Sequence, residues 1–281
     1  MRTVPQHARL ALLLEVSSTP KPGNVDRERE YEDLRFEHFV AGAVGTEDGF
    51  ERAAGGGAVG DSFERAVAGM SEQTGGNTQF GAVLLLVPLV RAAANAPRRG
   101  EFDGEDAAAV VRATTVADAV DFYRAFEHVD VAVDEPPEGM EDLDVRQGGD
   151  AEPALRDRGL TLADVMERSA SVDGLAAEYV NGFERTFAAA SAIADGDGPV
   201  TERTAAVFLD LLAAEPDTFI ATQHDRETAQ EVTRRAAAAR AGEESVTELA
   251  AEFVERGINP GTTADIVAGG LFVALERGVE V

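Results

Sequence analysis

The chain has 281 residues, of which 44% are hydrophobic and 27% charged, and it contains no cysteine. This composition is typical of a folded globular protein and excludes disulfide-stapled folds, thiolate metal sites and thiol nucleophiles. The 52 acidic and 25 basic residues give a formal net charge of -27, which repels nucleic-acid phosphates and anionic lipid headgroups. We therefore predict that the protein has no nucleic-acid partner.

Lysine is almost absent, since Lys21 is the only lysine among the basic residues. A surface of carboxylates and arginines is typical of proteins that work in molar salt, where the salt screens repulsion between the acids. The N-terminus does not have the pattern of a secretory signal, and the longest apolar stretch, Ala82 to Val90, is about half the length that crosses a bilayer. We expect a halophilic, cytoplasmic protein with no membrane partner.

Apolar residues recur at intervals of three and four along most of the chain, which predicts an all-α fold. The predicted helices cover residues 6–17, 35–47, 61–73, 79–95, 105–128, 161–193 (two helices or one kinked helix), 201–213, 223–240, 246–257 and 262–277. The longest irregular segment, 134–153, predicts a lid, a binding loop or a disordered insert. We predict one compact multi-helix domain over residues 1–281, with a hinge near 134–153 as the alternative.

The first polar segment that departs from this helical pattern runs from Pro20 to Asp26. Pro20 and Pro22 restrict the backbone around Lys21, and Gly23 can expose consecutive backbone N–H groups, which together favour a rigid phosphate site. A lone lysine in such a chain indicates a need for a compact ammonium group. The alternative is a proline-rich turn between two helices with an incidental cation.

Acidic side chains crowd the positions that follow, together with three arginines that include Arg27. In so acidic a chain, such a cluster is most simply a solvated helix face. The functional alternative is that Asp26 and one or two of Glu32, Asp33 and Glu37 hold Mg²⁺, which takes one or two carboxylates plus phosphate oxygens.

The segment from Thr74 to Gly81 opens the most apolar predicted helix. Two adjacent glycines, the second of them Gly76, permit a close approach, and Asn77 or Thr78 can cap the helix. The free N–H groups of the first helical turn form a natural anion site. Ordinary capping explains Asn77 and Thr78 equally well, so both interpretations stay open.

The last such segment, Gly257 to Phe272, joins a Pro-Gly turn to a helix with Asp265 in its first turn. An acid at this position complements the helix dipole without any ligand. Gly269 and Gly270 fall in mid-helix, where each costs about 1 kcal/mol relative to alanine. This cost predicts close packing against another helix or a ligand.

Other local signals have weaker support. Gly55, Gly57 and Gly60 fit the dinucleotide pattern, but no strand precedes them and Phe80 occupies the position of the acidic ribose contact. The pair His224 and Asp225 is similar to that of helical, metal-dependent phosphohydrolases. The remaining histidines lie far away in sequence, which favours a chance pair.

In their order along the chain, these segments resemble the triphosphoribosyl-dephospho-CoA synthase family. The resemblance is carried by P-K-P-G-x-V-D at Pro20 to Asp26, G-x-N-T-x-x-G at Gly75 to Gly81, D-T at Asp217 and Thr218, and P-G-x-x-A-D at Pro260 to Asp265. It implies an all-α transferase in which ATP and 3'-dephospho-CoA give a 2'-triphosphoribosyl product and adenine. Gln79, Phe80 and Phe219 depart from the family pattern, which indicates an archaeal branch.

The resemblance also implies roles for the candidate residues. Lys21, Gly23 and Arg27 would bind phosphates, whereas Gly76, Asn77 and Thr78 would bind ribose or phosphate. Mg²⁺ would be held by Asp26 and Asp33, and the catalytic carboxylates would be Asp33, Glu37 and Asp265. The partners would be ATP and dephospho-CoA, and a homodimer is left open.

Three alternatives remain at this stage. They are a related archaeal enzyme that acts on another nucleotide or cofactor precursor, a metal-dependent nucleotide phosphohydrolase built on His224 and Asp225, and an acidic helical scaffold without catalysis.

Overall fold

The computed structural model describes residues 2–136 and 140–281, which form helices and no strand. The α-helices are α1 Val4–Ser17, α2 Phe36–Gly45, α3 Glu47–Ala54, α4 Val59–Met70, α5 Phe80–Asn95, α6 Gly104–Arg112, α7 Val116–Ala125, α8 Glu152–Arg158, α9 Leu162–Ser169, α10 Gly174–Val180, α11 Glu184–Asp195, α12 Val200–Ala214, α13 Thr218–Gln223, α14 Arg226–Arg240, α15 Val246–Glu255 and α16 Gly261–Glu276. The predicted all-α fold is confirmed.

Two central helices, α5 and α16, organise the core. Both are apolar on almost every face and are buried over nearly their whole length, and α16 packs against α1, α5 and α11. A Cβ atom on Gly269 would lie 2.9 Å from Cγ2 of Thr186, and one on Gly270 would lie 2.8 Å from Cβ of Ala189. The close helix packing predicted from these two glycines is therefore confirmed, with α11 as the partner.

Two long predicted helices are interrupted because polar side chains begin new helices inside them. The segment 105–128 divides where Thr115 and Asp118 form a capping box at the start of α7. The segment 161–193 contains three helices, since Asp173 caps α10 and Phe183, with a φ of 60°, precedes α11. The prediction of one or two helices over 161–193 was wrong.

The predicted irregular segment 134–153 contains short helical turns. It contains two 3-10 turns, Glu141–Leu143 and Val145–Ala151. Tyr123 donates a hydrogen bond of 2.8 Å to the Leu143 carbonyl, and Arg146 pairs with Glu135 and Asp144. The choice between a lid, a binding loop and a disordered insert stays a prediction, and residues 137–139 lie outside the described residues.

Among the described residues, we find no helix with the length and apolar character needed to span a bilayer.

Candidate active site

A cavity of about 470 Å³ opens where the first turns of α5 and α16 approach each other. One part of its wall is polar and includes Glu15, Asn24, Asn77, Thr78, Gln79, Thr218, Asn259, Thr262 and Asp265. The other part is apolar and includes Leu84, Phe122, Phe126, Met140, Leu143, Val145, Val165, Met166 and Leu175. The segment around residues 140–145 thus forms part of the wall, and its role as a binding loop stays a prediction.

The polar part of the wall is built on a direct contact between two of the sequence motifs. A Cβ atom on Gly81 would lie 2.0 Å from Oδ2 of Asp265, so the carboxyl group occupies the space that any larger residue would fill. The Ala82 backbone N–H donates a hydrogen bond to the same carboxyl group. Asp265 is therefore held against the N-terminal turn of α5, although it belongs to α16.

The environment of Asp265 favours its neutral form. Its carboxyl group lies deep in the protein while remaining partly exposed to the cavity. Burial, followed by the negative charges of Glu15 and Asp217, raises the pKa of Asp265 well above its usual value, and the hydrogen bond from Ala82 only partly opposes this. Asp265 can therefore retain a proton at a pH where an exposed aspartate has lost it.

A second contact brings the Pro20–Asp26 segment against the Pro-Gly turn before α16. Gly23 has a φ of 76°, and a Cβ atom there would lie 2.2 Å from the carbonyl oxygen of Ile258. Tyr31 donates hydrogen bonds to the carbonyl oxygens of both Gly23 and Ile258. The predicted phosphate-binding role of Gly23 stays a prediction, but its lack of a side chain has a clear packing reason.

The Lys21 ammonium group is enclosed inside the protein. Its side chain is 0% exposed, it pairs with Glu15, and it donates a hydrogen bond of 2.7 Å to Oδ1 of Asn24. The Asn24 amide continues the chain with a 2.9 Å hydrogen bond to Oδ1 of Asn259. Glu15, Asn24 and Asn259 line the cavity, whereas Lys21 is not one of the described lining residues. Lys21 thus lies behind the wall, and this arrangement differs from the direct phosphate contact expected from the sequence.

The D-T segment stabilises the start of α16. One oxygen of Asp217 accepts hydrogen bonds from the N–H groups of Phe219 and Ile220, and the other accepts from the N–H and the hydroxyl of Thr263. The Thr218 hydroxyl lies 3.0 Å from the Thr262 hydroxyl. These bonds cap α13 and position the first turn of α16, whereas Asp265, expected in that first turn, is the fifth residue of the helix and lies just beyond it.

The Thr74–Gly81 segment contributes polar groups to the cavity wall. Oδ1 of Asn77 accepts a hydrogen bond from the Phe80 N–H, so Asn77 has a capping role. The Thr78 hydroxyl and Oε1 of Gln79 are buried and have no hydrogen-bond partner among the described residues. Gly76 is exposed, has a φ of 71° and is outside the described lining. Both residues line the cavity, but these two atoms are almost fully enclosed, and the Thr78 hydroxyl lies beside Gly42.

The acidic cluster after Lys21 does not converge on the cavity. Asp26 is buried, but its oxygens accept hydrogen bonds from the N–H groups of Lys21, Glu28 and Arg29. Exposed positions are occupied by Arg27, Asp33 and Glu37, and Glu37 pairs with Arg35. None of these four predicted residues is among the described lining, and the described residues contain no group of three or more potential metal-binding side chains.

Comparisons with known proteins bear on the family of this chain. Residues 1–280 match the family model described as CitG, ATP:dephospho-CoA triphosphoribosyl transferase. The chain belongs to this family. It is also similar to a crystal structure from Archaeoglobus fulgidus assigned as a triphosphoribosyl-dephospho-CoA synthase, with a TM-score of 0.69, 26% identity, and coverage of 85% of this chain and 99% of that chain. No curated protein matches the chain.

The pair His224 and Asp225 has structural roles in this transferase. Asp225 caps α14 by accepting a 2.7 Å hydrogen bond from the Thr228 N–H, and Nε2 of His224 lies 3.1 Å from the Gly257 carbonyl oxygen. Neither residue is among the described lining of the cavity. The phosphohydrolase alternative finds no support in this geometry.

Among the polar residues of the transferase cavity that the sequence interpretation missed are Glu15, Asn24 and Asn259. Glu15 stands in a predicted helix whose acids would ordinarily be exposed, yet it is only 4% exposed. One signal was available, because Glu15 precedes the single lysine by six residues and an enclosed ammonium group requires an anionic partner.

Proposed function

We propose that the cavity between α5 and α16 is the site where the 5-triphosphoribosyl group of ATP is transferred to the ribose 2'-hydroxyl of 3'-dephospho-CoA, with release of adenine. The protein is a transferase of this family over essentially its whole length. The observation that carries the proposal is the contact of Asp265 with Gly81 on the cavity wall, because it joins the last family motif to the N-T-x-x-G motif.

The polar wall supports binding of the triphosphate in spite of the negative charge of the protein. Helices α5 and α16 are each 16 residues long, and the first turn of each faces the cavity. The N-termini of these helices supply partial positive charge. The Thr78 hydroxyl adds a donor that has no partner among the described residues. We assign the phosphates or ribose of ATP to this wall, beside Asn77 and Thr78.

Asp265 is suited to act on the bond between the ribose and adenine. Displacement of adenine places negative charge on the departing base, so a positioned carboxylic acid that donates a proton lowers the barrier. The raised pKa of Asp265 keeps this proton available. We therefore assign Asp265 as the acid that protonates adenine as the bond from C1' to the base breaks.

The apolar wall is suited to the acceptor. Dephospho-CoA carries a long pantetheine arm whose methyl and methylene groups gain from apolar burial, at roughly 25 cal/mol per Å². Side chains such as Phe122, Met166 and Leu175 provide such a surface next to the polar wall. The arm would then direct the acceptor ribose toward Asp265.

Mg²⁺ remains part of the proposal as an ion that accompanies the triphosphate. Asp26 and Asp33 were predicted to hold it, but their placement gives no joint site on the cavity wall. Mg²⁺ needs only one or two carboxylates besides phosphate oxygens, and Asp173 on the wall suits such a role. When bound, the ion would neutralise phosphate charge.

A related archaeal enzyme with another acceptor is the second candidate. Phe80, where a basic residue is expected from the family pattern, is 5% exposed and packs edge-on against Phe63 with ring centroids 5.1 Å apart. Gln79 next to it presents a carbonyl oxygen rather than a cation. An acceptor that carries one phosphate fewer than dephospho-CoA at this position would suit a wall without a cation here.

We also propose a halophilic archaeal cytoplasm as the setting, and a homodimer as the assembly. The support for the setting is the net charge of -27 together with arginine in place of lysine in all but one basic position.

The direct test is incubation of the purified chain with Mg·ATP and dephospho-CoA in molar KCl, followed by mass spectrometry of the products. Free adenine and dephospho-CoA enlarged by a triphosphoribosyl group are expected. Adenine with no change in dephospho-CoA would favour the second candidate, whereas release of inorganic phosphate alone would contradict both.

A further inference from the structure

We propose that Glu15 is the general base that takes the proton from the acceptor hydroxyl, and that Lys21 is a positioning residue that holds Glu15 rather than a ligand of the phosphates. The proposal rests on the function proposed above, because it assigns roles within that reaction. The lysine of the Pro20–Asp26 motif would then act on the reaction through Glu15.

The position of Glu15 is the first argument. It belongs to α1, where it is only 4% exposed, yet it lines the same cavity as Asp265. Both carboxyl groups line this one cavity, and the negative charge of Glu15 contributes to the raised pKa of Asp265. A base and an acid that share one cavity are what a displacement at a sugar carbon requires.

The second argument is the way in which Glu15 is held. Oε1 accepts from the Lys21 ammonium group, which also donates to Asn24 and lies 5.8 Å from the ring centroid of Phe208. A long, enclosed side chain fixed in this way keeps a single orientation. One carboxylate oxygen is thus immobilised, and the second, Oε2, is left for an acceptor hydroxyl.

The third argument is the contrast between the two carboxyl groups. Burial and the nearby Asp26 raise the pKa of Glu15, while the charge of Lys21 and its hydrogen bond lower it. Burial, followed by the charges of Glu15 and Asp217, raises the pKa of Asp265 well above its usual value. Glu15 is therefore the group of the two that ionises more readily, as the base should.

The proton of the acceptor 2'-hydroxyl passes to Oε2 of Glu15 while the oxygen forms a bond to C1' of the ATP ribose. The bond from C1' to the adenine nitrogen breaks, its electron pair stays with the base, and Asp265 supplies the proton that completes neutral adenine. Exchange with water then restores both carboxyl groups.

The enclosure of Lys21 argues against the competing role as a phosphate ligand. To reach a phosphate, the ammonium group would have to leave Glu15 and Asn24 and pass the wall, which would leave a buried carboxylate without its cation. The chain from Lys21 through Asn24 to Asn259 instead ties Glu15 to the turn before α16.

The test compares Glu15→Gln, Lys21→Met and the double variant with the wild type, in adenine release from Mg·ATP and dephospho-CoA. For Glu15→Gln we expect kcat to fall by about 10² to 10⁴ with an unchanged KM for ATP. For Lys21→Met we expect a lower kcat, an unchanged KM for ATP, and an acid limb of the pH profile shifted to higher pH. A rise in KM for ATP with kcat retained would instead identify Lys21 as a phosphate ligand and overturn the proposal.

The double variant covers the risk that Lys21→Met does not fold, because removing both partners of a buried pair leaves neither charge uncompensated. It should be folded by circular dichroism and no less active than Glu15→Gln alone. Additive losses would show that the two residues act separately. Glu276→Gln is the matched control, since Glu276 is a buried glutamate paired with Arg99 outside the cavity lining, and its kcat should be retained.

The outcomes distinguish this inference from the proposed function. Adenine released equally fast by the wild type and Glu15→Gln would overturn the inference alone. A wild type that releases no adenine under the same conditions would overturn the proposed function, and the assignment of Glu15 as a base would fall with it.

Discussion

The carboxyl group of Asp265 occupies the space where a side chain on Gly81 would begin. Oδ2 lies 2.0 Å from the position of a Cβ atom on that glycine, and the Ala82 N–H donates to the same carboxyl group. The two residues are far apart in sequence and belong to the two central helices. Their contact therefore fixes the position of the acid on the cavity wall.

Replacement of this glycine should misplace the acid. We expect Gly81→Ala to lower kcat by about 100-fold, because a displacement of about 1 Å at a catalytic group costs this much. Adenine release measures the effect, and circular dichroism checks the fold. Gly55→Ala is the control, since a Cβ atom there would lie 3.2 Å from its nearest neighbour, the Glu51 carbonyl oxygen. Equal activity of the two variants would show that Asp265 tolerates the displacement.

Asp265→Asn should lower kcat and raise the thermal midpoint. A raised pKa means that Asp265 contributes stability that is fully present below its unfolded pKa and is lost as pH rises through the native pKa. The amide has no charge, so the thermal midpoint of the variant should exceed that of the wild type increasingly as pH rises. Calorimetry at several pH values measures this difference, while kcat should fall by about 10² or more. A wild type as stable as the variant at alkaline pH would contradict the raised pKa.

Thr78→Val should weaken ATP binding without harming the fold. The hydroxyl is buried and has no partner among the described residues, so its removal costs no internal hydrogen bond. We expect KM for ATP to rise by about 10-fold, equivalent to one hydrogen bond. Thr204→Val is the control because its hydroxyl donates to the Val200 carbonyl, and it should lower the thermal midpoint with KM unchanged. An unaltered KM in Thr78→Val would remove Thr78 from the binding site.

Replacement of His224 and Asp225 by alanine should leave transferase activity unchanged. Asp225 caps α14, so its loss should lower the thermal midpoint, whereas the cavity is untouched. Adenine and inorganic phosphate are measured side by side. Abolished turnover in a folded double variant would restore the phosphohydrolase alternative.

Salt should stabilise the protein. Exposed ion pairs such as Arg65 with Asp48 contribute little each and are weakened by salt, whereas screening relieves the mutual repulsion of a chain with a net charge of -27. The thermal midpoint should therefore rise from dilute buffer to molar KCl, as followed by circular dichroism. A midpoint that falls over this range would contradict the halophilic interpretation.

The sequence by itself determined the fold class, because helical periodicity persists along most of the chain and each motif stands at a helix boundary. Gly269 and Gly270 predicted close helix packing, because glycine in the middle of a helix is unfavourable unless another surface approaches it closely. It also marked Asp265, Asn77 and Thr78 as candidates, although helix capping and the helix dipole explain polar residues at these positions equally well.

Only the tertiary structure decided which of these groups meet. Local sequence does not reveal that Asp265 packs on Gly81, or that Glu15 reaches the single lysine from a helix that would ordinarily expose its acids. It also could not show that Asp33 and Glu37 face solvent, since in so acidic a chain the catalytic and solvating carboxylates look alike. Burial distinguishes the carboxylates of the cavity from those that face solvent, and burial depends on how α1, α5 and α16 pack together.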